Sequence, residues 1–81
     1  MNELSEKEEI FFKKLKEIAG HKGFTTGKEL LEHSFADFAV TVFEANVSYP
    51  QSLQSRKLQI LRKKGYITME RKNGGIYKIL K

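Results

Sequence analysis

Apolar residues recur first at helical spacing and, near the end of the chain, at a spacing of two. Phe11, Leu15, Ile18 and Ala19 stand at i, i+4, i+7 and i+8, which puts them on one face of an α-helix. Ser5-Glu6-Lys7-Glu8 precedes them with the form of a capping box, in which hydroxyl and carboxylate each satisfy a backbone N–H at the other residue. A first helix is therefore expected over about residues 6–19, ending before Gly20. Glu6, Glu8 and Glu9 fall in its first turn, where the helix dipole favours negative charge.

Phe24-Thr25 is a short β-prone piece, and Thr26-Gly27-Lys28-Glu29 is a second capping box. Leu31, Phe35, Phe38, Ala39 and Val42 then follow i, i+4, i+7, i+8 and i+11, which predicts one long second helix to about Ala45. Ser34 followed by Asp37 leaves open a restart of the helix at that point. Asn46-Val47-Ser48-Tyr49-Pro50 reads as a turn, because proline disfavours helical conformation in the residue before it and suits the first position of a new helix. The third helix is expected from about Pro50 to Lys64, stopped by Gly65.

Tyr66 to Arg71 and Ile76 to Leu80 flank Lys72-Asn73-Gly74-Gly75 and predict a β-hairpin. A two-residue Asn73-Gly74 turn would set Met69 opposite Lys78. A three-residue Lys72-Asn73-Gly74 loop with Gly74 left-handed would instead put Ile67, Met69, Tyr77 and Ile79 on one face, and the hydrophobic pattern favours this second register.

Length and composition narrow the picture. Eighty-one residues, 40% apolar and 31% charged, make one small globular domain across residues 1–81. Without cysteine there is neither a disulfide framework nor a thiolate metal site. The polar, acidic N-terminus is unlike a signal peptide, and no apolar run approaches the ~18 residues of a membrane span. The sequence reads as a soluble cytoplasmic protein with no membrane partner. Charge is unevenly divided. Residues 1–50 carry six lysines and nine acids, a net −3, whereas residues 51–81 carry nine Lys or Arg and one acid, Glu70, a net +8. Such a segment suits a polyanion.

The expected order of helix, short strand, helix, turn, helix and hairpin resembles that of a winged helix-turn-helix domain, an α+β fold of three helices, a short strand and a C-terminal β-hairpin wing. Ser55-Arg56-Lys57-Leu58-Gln59-Ile60-Leu61-Arg62-Lys63-Lys64-Gly65-Tyr66-Ile67 resembles the pattern S-R-x-L-x-x-L-x-x-x-G-x-I of many winged-helix DNA-binding regulators. A narrower stretch, Leu58 to Ile67 with Gly75-Ile76-Tyr77, is similar to the C-terminal winged-helix domain of methyl-directed restriction endonucleases of the Dam-replacing type. The resemblance covers about residues 24–80 and implies a third helix in the major groove of double-stranded DNA, with the wing on flanking backbone or minor groove.

On a helical wheel of residues 50–64, Leu53, Leu58, Ile60 and Leu61 share one arc, and Gln51, Ser52, Ser55, Arg56, Gln59, Arg62 and Lys63 share the other. The second arc mixes hydroxyl, amide and guanidinium groups toward its N-terminus and is cationic toward its C-terminus, with no acid. Ser52, Ser55, Arg56 and Gln59 are therefore assigned to base or groove contacts, and Arg62 and Lys63 to phosphates. Lys57 projects from the apolar arc, with its stem expected to pack. Arg71, Lys72 and Asn73 at the hairpin tip extend the positive surface, and Lys28 is a further phosphate candidate. Tyr66 and Tyr77 are read as packing residues rather than base-stacking ones.

Catalysis is not expected. His21 and His33 are the only histidines, and with no cysteine a zinc site lacks ligands. His33 and Ser34 are helix neighbours that do not face one another, and nothing beside them and Asp37 supplies an oxyanion hole or pocket. No cofactor is implied. The leading expectation is a small transcriptional regulator. A DNA-recognition module of a larger nucleic-acid enzyme and a winged-helix protein-interaction adaptor are the alternatives. Ile10, Phe11 and Phe12 give the first helix more apolar breadth than one stripe needs, which suggests a homodimer contact.

Overall fold

A computed structural model describes residues 3–70 and 75–81. Helix α1 (Glu6–Ala19) opens on the expected capping box: Ser5 Oγ accepts from Glu8 N at 3.2 Å, and Ser5 N donates to Glu8 Oε1 at 2.8 Å. The helix buries a wider face than one stripe, comprising Phe11, Phe12, Leu15 and Ala19. Phe11 stacks on Phe35 with ring centres 4.6 Å apart, and Phe12 meets Tyr66 edge-on at 5.3 Å. Two of the three residues that suggested a dimer contact are thus covered within the chain, leaving Ile10 exposed.

A 3-10 turn, Gly20–Lys22, leads to β1 (Phe24–Thr26). Thr26 Oγ1 then caps α2 (Gly27–Glu32) by accepting from Glu29 N at 3.2 Å. The Glu29 carboxylate turns to Lys22 Nζ, 2.8 Å away.

The expected single helix from residue 27 to Ala45 is two helices, α2 and α3 (Phe35–Phe43). The break lies at Ser34, which is left-handed at φ 52, ψ 40. The packing gives the reason. Leu30 and Phe35 are both fully buried, yet residues five apart on an unbroken helix point about 140° away from each other. The kink brings both into one core and turns Leu31, expected on the apolar face, out to 66% exposure. Helix α3 ends at a second left-handed residue, Glu44, with Ala45 N donating to Val40 O and Glu44 N to Thr41 O.

Tyr49 is extended ahead of Pro50, as its neighbour requires, and Pro50 opens α4 (Pro50–Lys63), which corresponds to the expected third helix. Its end is a Schellman motif: Tyr66 N donates to Leu61 O at 3.0 Å and Gly65 N to Arg62 O at 3.1 Å, with Gly65 at φ 85. Strands β2 (Ile67–Glu70) and β3 (Ile76–Ile79) pair antiparallel with Ile67 opposite Ile79 and Met69 opposite Tyr77. That is the register the hydrophobic pattern favours, and it does not place Met69 opposite Lys78. Arg71, Lys72, Asn73 and Gly74, including the expected left-handed Gly74, lie outside the described residues.

Strand β1 adds to the other edge of β3, giving a three-stranded antiparallel sheet in the order β1-β3-β2. The fold among the described residues is therefore α+β, with four α-helices rather than three and a three-stranded sheet. Its core joins Phe11 and Leu15 of α1, Leu30, Phe35 and Ala39 of the kinked pair, and Leu53, Leu58 and Leu61 of α4, with Ile67 beneath.

Candidate functional site

Helix α4 sets the site through its own polarity. At 100° per residue, Ser52, Ser55, Arg56, Gln59, Arg62 and Lys63 fall within about 120° of arc. Leu53, Leu58 and Leu61 are buried on the opposite side. Of the six, only Gln59 is half-buried, and its Oε1 accepts from Arg62 Nε at 2.9 Å. Every exposed position on α4 is polar or cationic.

The basic residues of the C-terminal half separate into two groups. Lys64 Nζ is 3.0 Å from Glu8 Oε1, and Lys78 Nζ is 3.1 Å from Glu70 Oε1. Lys57 lies with its ammonium 4.3 Å from the Phe43 ring centre, and Lys81 lies 4.8 Å from that of Tyr66. Lys57 thus packs its stem as expected, with its charge over an aromatic face. Arg56, Arg62 and Lys63 have no acidic partner among the described residues, so their charge is left to act on whatever approaches α4.

Three carboxyls are held below their ordinary range, all by groups away from this arc. The Ser5 N–H and then Lys64 lower Glu8, Lys22 lowers Glu29, and Lys7 lowers Glu44. The acidity of residues 1–50 is thereby partly tied to caps and lysines.

Lys28 is exposed in the first turn of α2. Gly27 N donates to Gly75 O at 3.2 Å, which binds the start of α2 to the loop end of β3. A cleft of about 560 Å³ separates the α2–α3 corner from the start of α4, and Gly27 and Ser55 both line it. Gly27, next to Lys28, therefore adjoins both the cleft beside the N-terminal half of α4 and the loop end of β3. The predicted tip residues Arg71, Lys72 and Asn73 are not described.

Sequence reasoning did not single out Leu31 and Tyr49. Both line the cleft, at 66% and 75% exposure. Leu31 was hidden inside a helical series that the kink interrupts. Tyr49 carried a signal of its own, an aromatic side chain in a polar turn with no periodic partner. Tyr77 is half-buried across from Met69, and Tyr66 packs on Phe12. His21 and His33 are exposed, and among the described residues no three His, Cys, Asp or Glu side chains are grouped to hold a metal ion. Among the described residues no helix is long and apolar enough to cross a membrane.

Comparison with family models, curated proteins and solved structures returns no match to this chain.

Proposed function

We propose that this protein is a winged helix-turn-helix domain that binds double-stranded DNA, with α4 in the major groove and the basic hairpin on the flanking backbone. The observation that carries the reading is the outward arc of α4, which combines hydroxyl, amide and guanidinium donors with cations that no acid among the described residues neutralises. Ser52, Ser55, Arg56 and Gln59 have the chemistry of base-edge readers, and Arg62 and Lys63 that of phosphate contacts. The Gln59–Arg62 bond leaves the amide nitrogen of Gln59 free to donate. Lys28, and Arg71 and Lys72 in the hairpin loop sequence, add further positive charge.

The sheet order and the tie between Gly27 and Gly75 support the winged-helix reading, since they hold a hairpin beside the helix pair that precedes α4. An adaptor working through the same face would need apolar side chains on it, and the exposed positions of α4 carry none. The function that fits is regulation of transcription by occupancy of a DNA site. Selection of bound duplexes from a random pool tests it. Enrichment of a common site is the expected result, and a pool that stays random after repeated rounds contradicts sequence-specific recognition.

A further inference from the structure

We propose that the cleft between the α2–α3 corner and the start of α4 receives one nucleobase, unstacked from DNA that α4 holds; the inference rests on the DNA-binding reading above. The lining sets this cleft apart from the rest of the surface. Leu31 and Tyr49 supply an aliphatic and an aromatic wall, and Gln51, Gln54, Ser55 and Asp37 supply amide, hydroxyl and carboxylate groups. Among the described residues, no Lys, Arg or His lines it. Among the described lining residues a phosphate meets no cation, and an anionic ligand meets Asp37. An uncharged planar ring that carries donors and acceptors on its edge matches both sets of groups, because its faces pack on Tyr49 and Leu31 while its edge pairs with the amides and the carboxylate.

Three further features agree. The cleft, open to solvent and about 560 Å³, has room for one such planar ring. Leu31 and Tyr49 are two of the four large apolar side chains left exposed among the described residues, and both border this one cleft. Ser55 belongs both to the cleft and to the outward arc of α4, so a base entering the cleft stays joined to a backbone lying along Arg56 and Arg62.

The test measures affinity for a fully paired duplex and for the same duplex with one unpaired adenine. The bulged duplex should bind about five- to tenfold more tightly, since stacking of one base on an aromatic side chain gives at least that factor. Tyr49→Ala should bring the ratio to about one and Tyr49→Phe should keep it, whereas Arg56→Ala and Lys63→Ala should weaken both duplexes and leave the ratio standing. Tyr49 is exposed, so circular dichroism of its variants should match the parent. A ratio of one with the paired duplex still bound overturns the cleft assignment and leaves the DNA-binding reading intact. A ratio that survives Tyr49→Ala also overturns it. Binding of free deoxyadenosine together with a ratio of one overturns the DNA-borne base in favour of a free one. Failure of both duplexes to bind overturns the DNA-binding reading and this inference with it.

Discussion

Lys64 and Glu8 meet at 3.0 Å and join the end of α4 to the first turn of α1. Lys64 Nζ also donates to Glu3 O at 2.9 Å, so one ammonium ties the N-terminal cap to the core helix. The same Glu8 carboxylate accepts from Ser5 N, which is the main reason that its pKa falls below the ordinary 4.5. A carboxyl with a depressed folded-state pKa contributes stability that is complete above its unfolded pKa and is lost as pH falls through its folded pKa. Glu8→Ala should therefore cost about 1–2 kcal/mol at pH 7, from the lost cap and ion pair together. Urea melts across pH should show that difference shrinking below about pH 4.5. An equal difference at pH 3 and pH 7 contradicts the assignment.

Thr25 is fully buried in β1, and its Oγ1 has no hydrogen-bond partner among the described residues. A buried hydroxyl without a partner costs free energy that an apolar group of the same shape does not. Thr25→Val should stabilise the protein by about 1 kcal/mol, which for a domain of this size raises Tm by about 4–8 °C. A lowered Tm means that the hydroxyl has a partner in solution.

Gly65 ends α4 at φ 85, with open space where a Cβ would stand. Any cost of Gly65→Ala is therefore backbone strain and not a clash, and it should be about 1 kcal/mol by denaturant melt. An unchanged midpoint contradicts the Schellman end of α4.

Much of this was legible in the sequence, and the exceptions have physical causes. The Ser5 capping box, Pro50 and Gly65 act through local rules, so α1 and α4 begin and end within a residue of expectation. The hairpin register followed from which alignment keeps Ile67 and Met69 on the face shared with Tyr77 and Ile79. The break in the second helix is hidden from the sequence because the periodicity is genuine on each side of Ser34, and only the need to bury Leu30 and Phe35 together breaks it. That need belongs to tertiary packing. In the site, the helical wheel of α4 placed the outward arc, but the cleft beside it arises from the same kink and so could not be read from spacing.

Salt dependence follows from the count of uncommitted cations. Arg56, Arg62, Lys63 and Lys28 have no acidic partner among the described residues, and Arg71 and Lys72 add two more charges in the hairpin loop sequence. If about four to six phosphates are neutralised, log K for a duplex should fall with log salt at a slope of about −4 to −5. A flat titration between 50 and 200 mM salt, the range over which such contacts weaken, contradicts the electrostatic part of the account.

In the proposed DNA complex the outward arc of α4 contacts DNA, with base readers toward its N-terminus and phosphate contacts toward its C-terminus. Affinities of Arg56→Ala and Lys63→Ala for a selected site and for scrambled DNA test it most directly, with circular dichroism to confirm that both variants fold. Arg56 lies in the half of α4 expected to enter the groove, and a bidentate guanidinium contact to guanine gives about 1–3 kcal/mol of discrimination. Its loss should flatten preference at one base position. Lys63 lies two turns further on, so its loss should weaken all sequences alike and reduce the magnitude of the salt slope by about 1. Equal losses on both DNAs for Arg56→Ala contradict its role as a base reader, and undiminished binding by both variants moves the contact surface off α4.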